Sequence, residues 1–358
     1  MLLWKFHLAR ESAVFENFKA WCGKRVAAAK TFWTSWFRRR KPDPPGTWLS
    51  GSHHESTGRL FYAPLLSPKR DYRLHLPAAP HDGERLPLIV MLHGCRQDPE
   101  AFAAGTRINL LADRMRYLVL YPQQTWRANP YRCWNWFDPS SHKGNGEAAI
   151  VAGMVREVAK SHSVDPSRIY VAGLSAGGAL ASALASCYAD VFAACAIHSG
   201  LMFQAASSPA AARPAMQNGS ELDPEKVGEN AFEISGDKVN AMPALVIHGD
   251  ADDIVHPINA EQIIAQFLAM NRLAAEKNGR LDTSTARTTV TANDSGHRFE
   301  IRDYGPEDAP LLRHVIVKGM GHAWSGGNPR YPFNDPRGPD ASEMMMEFFS
   351  RHRRETSH

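Results

Sequence analysis

One stretch, from Arg168 to Gly178, limits the fold of this chain more than any other. It begins with a short β-branched and aromatic run, Ile169-Tyr-Val-Ala172, which predicts a buried strand. Gly173-Leu-Ser-Ala-Gly177 follows at once, and a segment rich in small residues with helical composition comes after it. A strand, a sharp turn with small neighbours and a helix would hold the Ser175 hydroxyl above the sheet at a helix N-terminus. Ser175 is therefore the candidate nucleophile, and the alternative is an ordinary serine in a glycine-rich loop.

The rest of the chain alternates between strand and helix patterns. Predicted strands cover residues 72–77, 86–94, 117–121, 193–200, 244–250 and 313–317, with a hairpin over 285–304. Predicted helices cover residues 105–116, 146–162, 259–273 and 341–352. This alternation predicts an α/β protein with a mostly parallel central sheet and helices on both faces. Strand 72–77 is expected at the sheet edge, and right-handed crossovers bring the strand C-termini to one side.

Composition divides the chain into three segments. Residues 1–41 carry ten Lys or Arg and two Glu, so this segment holds +8 of a chain whose net charge is +4. Its aromatic and aliphatic residues recur at helical spacing, which predicts a basic amphipathic helix. Residues 42–58 are rich in Pro, Gly and Ser and are expected to be a linker. Residues 59–358 form the predicted catalytic domain, with an insertion at about 201–240.

The basic segment leaves location and partners open. It lacks the continuous apolar region of a secretory signal, so the expected location is the cytoplasm or a polymer granule, with secretion as the alternative. Residues 1–41 are expected either to contact a granule or membrane surface or to pack on the protein itself. Nothing in residues 42–358, whose net charge is −4, suggests nucleic-acid binding.

A serine nucleophile needs a base and an acid that orients the base. Both follow predicted strands in the chain order that this fold uses, Ser, then acid, then His. His322 comes after strand 313–317 and is the candidate base. Asp252 follows strand 244–250 in an H-G-x-x-D-x-x-V pattern and is the candidate acid, with Asp250 and Asp253 as rivals.

Ester hydrolysis also needs N–H donors for the oxyanion. The residue after the nucleophile, Ala176, supplies one backbone N–H in this fold. The second comes from the loop after an early strand, and Cys95 in His93-Gly-Cys95 is the candidate. No metal site and no cofactor are expected.

With these residues in view, the chain resembles the polyhydroxybutyrate depolymerase family of esterases, within the α/β-hydrolase superfamily. The resemblance spans about residues 70–352. It rests on Leu92-His-Gly-Cys95, Cys133-Trp-Asn-Trp-Phe137, Ala172-Gly-Leu-Ser-Ala-Gly-Gly178, His198-Ser-Gly200, Gly321-His-Ala-Trp-Ser-Gly-Gly327 and Gly338-Pro-Asp-Ala-Ser342. It implies that Ser175, Asp252 and His322 form a catalytic triad.

The resemblance also implies a function and a cross-link. The implied substrates are short-chain hydroxyalkanoate polyesters or their oligomers, cleaved through an acyl-enzyme. The resemblance pairs Cys95 with Cys133 in a disulfide. Trp134, Trp136 and Trp324 are expected at the same sheet edge as the triad, where aromatic faces would suit an aliphatic ester chain. Their alternative role is to anchor loops under that edge.

Two other functions remain open from the sequence. Relatives in the wider superfamily cleave feruloyl and acetyl esters of plant polysaccharides, so such an esterase is the first alternative. The second is a surface-binding protein that uses residues 1–41 while the hydrolase body is inert. The intact set of Ser175, Asp252 and His322 argues against an inert body.

Overall fold

The computed structural model describes residues 46–62, 68–78, 83–236, 241–278, 286–291 and 296–355. The predicted helix at 1–41 lies outside these residues. The strands of the main sheet are β1 Thr47–His54, β2 Lys69–Leu76, β3 Leu86–Leu92, β4 Leu118–Pro122, β5 Val164–Leu174, β6 Ala194–His198, β7 Ala244–Gly249, β8 Ala286–Thr291, β9 Phe299–Tyr304 and β10 Leu312–Val317. Short strands β11 Trp324–Ser325 and β12 Asn334–Asp335 form a separate parallel pair.

Helices connect most of these strands. They are α1 Pro99–Thr106, α2 Ile108–Met115, α3 Gly146–Ser161, α4 Ala176–Cys187, α5 Pro209–Asn218, α6 Pro224–Ser235, α7 Ile258–Asn278 and α8 Ala341–Ser350, with a short 3₁₀ helix at Ser141–Lys143. None of the described helices is both long enough and apolar enough to cross a bilayer. Helices α5 and α6 lie in the described part of the predicted insertion, between β6 and β7.

The sheet runs in the order β1-β2-β4-β3-β5-β6-β7-β10-β9-β8. Its six middle strands, from β4 to β10, are parallel, and two antiparallel strands extend it on each side. The predicted α/β-hydrolase fold, with a mostly parallel sheet between helices, is confirmed. Parallel pairing places the C-termini of β3, β5, β7 and β10 on one side of the sheet, where ligand sites of such folds form.

Alternation along the middle strands explains why both faces are covered. In β3, Leu88 and Val90 pack into one core with α3, α4, α6 and α7, while Ile89 and Met91 pack into the other with α1, α2 and α8. All seven residues of β3 are buried. A strand buried on both faces is continuously apolar, which is the pattern that its sequence shows.

The prediction of a linker over residues 42–58 is wrong for part of that range. Thr47–His54 form β1, which pairs antiparallel with β2 along its whole length. The first four residues of β1 are exposed. An exposed edge strand tolerates the same Ser, Gly and Thr residues as a linker, so composition did not separate the two. Because β1 covers it, β2 is not the edge strand that the sequence predicted.

The single helix predicted at 105–116 is two helices. Helix α1 begins earlier, at Pro99, and Asp98 caps it by accepting a hydrogen bond from the Ala101 N–H. Arg107 has a left-handed backbone (φ 56°) and separates α1 from α2. A residue with a left-handed backbone ends a helix, and that residue is usually glycine. Because an arginine holds this position here, the sequence did not indicate the break.

Candidate active site

The turn between β5 and α4 has the geometry of a nucleophile elbow. Ser175 has φ 57° and ψ −120°, a strained conformation for a residue with a side chain. Its neighbours have no room for one: a Cβ on Gly177 would lie 2.1 Å from the Leu92 carbonyl oxygen, and a Cβ on Gly173 would lie 2.3 Å from the Gly177 carbonyl carbon. The glycines therefore permit the sharp turn that lifts Ser175 out of the strand.

His322 and Asp252 form the second part of the site. His322 lies in the loop after β10, and its Nδ1 is 2.7 Å from Asp252 Oδ2 in the loop after β7. The other carboxylate oxygen of Asp252 accepts the backbone N–H groups of Ile254 and Val255. Burial opposes ionisation of Asp252, but hydrogen bonds from His248 and His322 outweigh it, so the pKa of this carboxyl lies well below its usual range. The site thus holds a charged carboxylate against the His322 ring.

The same geometry decides between the three candidate acids. Asp250 accepts the Gly319 N–H and forms an ion pair with Lys318. Asp253 is exposed. Only Asp252 among the three is hydrogen-bonded to His322 in the described residues.

His198 connects the elbow to the loop that carries His322. The Ser175 N–H donates to the His198 carbonyl oxygen at 2.9 Å. The His198 ring stacks on Trp324 with centroids 5.0 Å apart, and its Nε2 accepts the Ser325 N–H at 3.0 Å. Burial lowers the pKa of His198 to about 3, so the ring is neutral. His198 therefore holds the two loops together without competing for the proton of the site.

The remaining nitrogen of the candidate base is available to the nucleophile. With Nδ1 bound to Asp252, the His322 Nε2 is the atom that would accept the Ser175 proton. The hydrogen bonds of the described residues do not include one between these two atoms, and such bonds are often long before substrate binds.

The loop after β3 lies directly against the elbow. A Cβ on Gly94 would be 3.6 Å from the Ser175 Cβ. The Gly94 N–H donates to Gln97 Oε1, and the Arg96 N–H donates to the Tyr131 carbonyl oxygen. Across the described residues, the intervening Cys95 N–H has no hydrogen-bond acceptor. It therefore remains able to donate to a ligand, as a member of an oxyanion hole must.

Ala176 offers the second donor. It is the first residue of α4, where backbone N–H groups have no partner within the helix. The positive end of the α4 dipole favours negative charge at this point. The two N–H groups that the sequence singled out thus flank the Ser175 turn from different elements.

His93 fixes the peptide that presents the Cys95 N–H. Its Nε2 accepts the Gln124 N–H at 3.2 Å, so the proton of the neutral ring is on Nδ1, which donates to the Gly94 carbonyl oxygen at 2.8 Å. Burial lowers the pKa of His93 to about 4, which keeps the ring in this neutral form at neutral pH. No role for His93 follows from the sequence alone.

The predicted disulfide between Cys95 and Cys133 is confirmed. The two residues are bonded, with Cα atoms 4.2 Å apart and 38 positions apart in the chain. The bond joins the loop after β3 to the aromatic segment in the loop after β4. The two loops are therefore covalently joined beside Ser175.

Three tryptophans were predicted to present their rings to substrate, and the structure buries all three instead. Trp134, Trp136 and Trp324 are only 0%, 5% and 2% exposed. The indole N–H of Trp134 donates to the His93 carbonyl oxygen, and that of Trp324 donates to Ser342 Oγ. Buried indoles find an internal acceptor, and here their rings fill space beneath the loops. The alternative role, loop anchoring, is the one that the structure supports.

A buried ion pair that the sequence did not reveal holds the aromatic loop from below. Arg70 and Glu147 are 2% and 0% exposed and lie 3.0 Å apart. Glu147 also accepts the Asn135 backbone N–H and side-chain amide. Gln124 links this pair to the disulfide by donating to the Cys133 carbonyl oxygen. No local pattern reveals a pair whose members are 77 residues apart.

Phe333 is a second residue that the sequence did not reveal. It has φ 61°, which is rare for a bulky side chain. Its carbonyl oxygen accepts the Trp324 N–H next to the β11–β12 pair, which holds the strained backbone in place. The half-buried ring lies edge-on to His322 with centroids 6.5 Å apart. An apolar wall therefore stands on the His322 side of the site.

Comparisons with known proteins identify the family of the chain. A family model described as "Esterase PHB depolymerase" matches residues 70–292. The chain is 32% identical to the poly(3-hydroxyalkanoate) depolymerase C of Paucimonas lemoignei over 66% of this chain and 54% of that protein. It is 29% identical to feruloyl esterase B of Neurospora crassa, over 65% of this chain and 82% of that protein. The alignment thus spans only about half of the depolymerase.

The fold is shared with an acetyl xylan esterase from Aspergillus awamori. That structure has a TM-score of 0.64 and 18% sequence identity, and the match covers 84% of this chain and 99% of the other. At this identity the likeness shows the α/β-hydrolase fold alone. The family model covers more than half of the chain, however, and includes Ser175 and Asp252. The chain therefore belongs to the esterase PHB depolymerase family.

Proposed function

We propose that this protein is a serine esterase that hydrolyses short-chain hydroxyalkanoate esters, as polyester or oligomer, through an acyl-enzyme. The observation that carries the proposal is the 2.7 Å hydrogen bond between His322 Nδ1 and Asp252 Oδ2, in loops on the same sheet edge as the strained Ser175. In an inert hydrolase body, no function would maintain an ionised Asp252 bonded to His322 at this edge.

In the proposed reaction, His322 Nε2 accepts the Ser175 hydroxyl proton as Oγ attacks the ester carbonyl carbon. The Cys95 and Ala176 N–H groups donate to the resulting oxyanion. The C–O bond to the alcohol then breaks, and His322 gives its proton to the leaving oxygen. A water molecule, deprotonated by the same nitrogen, then attacks the acyl carbonyl carbon, the bond from that carbon to Ser175 Oγ breaks, and His322 returns the proton to Oγ as the acid leaves. Asp252 stays ionised throughout and stabilises the charged imidazole.

The choice of hydroxyalkanoate substrates rests on the family and on the depolymerase of P. lemoignei, at 32% identity. The second candidate is a feruloyl or acetyl esterase acting on plant polysaccharide. It is favoured by the feruloyl esterase relative at 29% identity and by an acetylxylan esterase A of Aspergillus oryzae at 26%. The triad chemistry is the same for all of these esters, so the substrate must be tested directly.

The test compares kcat/KM for a linear trimer of 3-hydroxybutyrate, for methyl ferulate and for acetylated xylobiose. The proposal expects the hydroxybutyrate trimer to be hydrolysed at least tenfold better than either of the others. Ser175→Ala, purified in parallel, measures hydrolysis from contaminating enzymes. Preference for ferulate or acetylxylobiose would replace the proposed substrate with the second candidate, and no hydrolysis of any ester would reject the esterase.

We further propose that residues 1–41 bind a polymer or membrane surface and take no part in the chemistry. The segment has a charge of +8, and its apolar residues, tryptophans among them, recur at helical spacing, which suits an anionic or hydrophobic surface. Removing residues 1–41 is expected to leave hydrolysis of the soluble trimer unchanged and to reduce cosedimentation with polyhydroxybutyrate granules and anionic vesicles. Loss of soluble-substrate activity would instead make this segment part of the catalytic fold.

A further inference from the structure

Arg96 occupies an unusual position beside the oxyanion loop. It directly follows Cys95, has a left-handed backbone (φ 63°), and its N–H donates to the Tyr131 carbonyl oxygen at 2.7 Å. The disulfide from Cys95 to Cys133 restrains the same peptide from the other side. The Arg96 backbone is therefore fixed, although its side chain is exposed.

The guanidinium group of Arg96 lies over an aromatic ring and, among the described residues, pairs with no acid. Its Cζ lies 5.3 Å from the centroid of the Tyr131 ring, which is itself 59% exposed. In the part of the chain that the structure describes, the Arg96 side chain makes no ion pair and no hydrogen bond. A tyrosine ring attracts a cation without neutralising it, so the guanidinium N–H groups keep their capacity to donate to an acid.

The neighbouring charges do not cancel this cation. The carboxylate of Asp98 lies 3.9 Å from Arg132, so it is shared with another arginine, and its other oxygen caps α1. The loop between β4 and α3 includes Arg127 and Arg132, and its one acid, Asp138, is 1% exposed and accepts backbone N–H groups instead. The surface beside the oxyanion loop is therefore positive, whereas residues 42–358 taken together carry −4.

We propose that Arg96 and Tyr131 form a subsite for a free carboxylate, so that the enzyme prefers ester oligomers that end in an acid. The subsite rests on the proposed esterase function. Adjacent Cα atoms are about 3.8 Å apart, so Arg96 begins within that distance of the residue whose N–H faces the scissile carbonyl. Its extended side chain then reaches a carboxylate on the same short substrate. Arginine binds carboxylates through two parallel N–H donors, which neither a polymer interior nor a neutral ester can use.

The subsite assigns a substrate class within the proposed activity. A hydroxyalkanoate polymer has one free carboxylate for a whole chain, whereas every short oligomer has one close to each of its ester bonds. A cation that binds this group favours the soluble products of polymer breakdown over the polymer itself. The class of reaction that supplies the substrate is therefore an upstream depolymerisation that releases acid-ended oligomers.

The test uses a linear 3-hydroxybutyrate trimer as its free acid and as its C-terminal amide, which has the same ester bonds without the charge. We expect the full-length protein to show a kcat/KM about tenfold higher for the acid than for the amide, which corresponds to about 1.4 kcal/mol. Arg96→Gln should bring this ratio close to one, mainly by raising KM for the acid. Added salt should reduce the wild-type ratio, because the bound pair is partly exposed.

Arg156→Gln is the matched control. Arg156 lies on α3 with its Cζ 5.4 Å from the centroid of the Tyr188 ring, at the end of α4 remote from Ser175. It should leave the acid-to-amide ratio unchanged. Equal hydrolysis of both trimers by the wild type, or an equal loss on both in Arg96→Gln, overturns the subsite and leaves the esterase intact. Failure of the wild type to hydrolyse either trimer overturns the proposed function itself.

Discussion

Two groups of loops meet at the site, and they differ in how their side chains are used. In the loops after β5, β7 and β10, the three residues singled out for chemistry have well-defined positions: Ser175 in a strained turn, and Asp252 bonded to His322. In the loop between β4 and α3, the tryptophans expected to contact substrate are buried instead. A residue within a few positions of the end of a parallel strand thus has a predictable position, whereas a residue farther along a loop does not.

The physical reason lies in what fixes each side chain. Ser175, one residue beyond β5, takes its position from a strand buried on both faces and from glycines that allow only one turn. In the long loop, the outcome depends on partners that are far away in sequence, such as the Arg70–Glu147 pair and the Cys95–Cys133 bond. Trp134 is fully buried there, while Trp126 in the same loop is 64% exposed, so the loop sequence alone does not decide which ring turns inward.

The largest effect should come from the nucleophile. Ser175→Ala is expected to lower kcat for a soluble ester by at least about 10³-fold, since removal of a catalytic serine leaves only the oxyanion hole and binding. The thermal unfolding midpoint should change little, because the small methyl group fits the same turn. Activity within about tenfold of wild type would show that the elbow of β5 and α4 is not the reacting centre.

The acid gives the next largest effect. Asp252→Asn is expected to reduce kcat by about 10²–10⁴-fold, because the amide cannot stabilise the charged His322 ring and can reverse its tautomer. Asp253→Asn, one residue along and exposed, is the matched control and should stay within about twofold of wild type. If Asp253→Asn lost more activity than Asp252→Asn, the hydrogen bond between Asp252 and His322 would not be the one that supports catalysis.

These two variants also separate what the sequence predicted from what it left open. Chain order and strand position led to Ser175 and His322, and the H-G-x-x-D-x-x-V pattern favoured Asp252 but left Asp250 and Asp253 as rivals. That choice needed the direction of each carboxylate, which depends on the Val255 and Gly319 N–H groups. Strand β1 was missed because an exposed edge strand and a linker have the same composition. Phe333 was missed because its positive φ follows from tertiary pairing.

The disulfide tests whether the aromatic loop supports the oxyanion loop. Cys133→Ser is expected to lower the free energy of unfolding by about 3–4 kcal/mol, according to the loop-entropy model for a bond that spans 38 positions. Because the freed loop holds the Cys95 N–H less firmly, kcat should also fall. Cys187→Ser, at a half-buried cysteine outside the disulfide, is the control for loss of a thiol. Chemical denaturation measures the unfolding midpoints of both variants. Equal midpoints for Cys133→Ser and Cys187→Ser would show that the disulfide does not stabilise the fold.

Acid should weaken the same loop through His93. Burial lowers its pKa to about 4 in the folded protein, below the ordinary value of 6.5. The unfolded chain therefore binds the proton first, and stability is complete above about pH 6.5 and declines as the pH falls towards 4. The shift is equivalent to roughly 3 kcal/mol for this one group. Unfolding midpoints from pH 7 to 4 should fall less steeply in His93→Asn, and parallel curves would exclude His93 as a cause.

Trp134 should give the smallest effect and the most direct contrast between the two groups of loops. Trp134→Phe keeps a buried ring but removes the N–H that donates to the His93 carbonyl oxygen at 3.1 Å. Loss of that bond leaves a buried carbonyl without this donor and should reduce the free energy of unfolding by about 1–2 kcal/mol. KM for a hydroxybutyrate oligomer should stay unchanged, because a fully buried ring does not contact substrate.

Trp126→Phe, at a ring that is 64% exposed, is the control and should leave stability unchanged. If Trp134→Phe instead raised KM several-fold with no loss of stability, the ring would have to reach the substrate, and the long loop would follow the same rule as the catalytic ones.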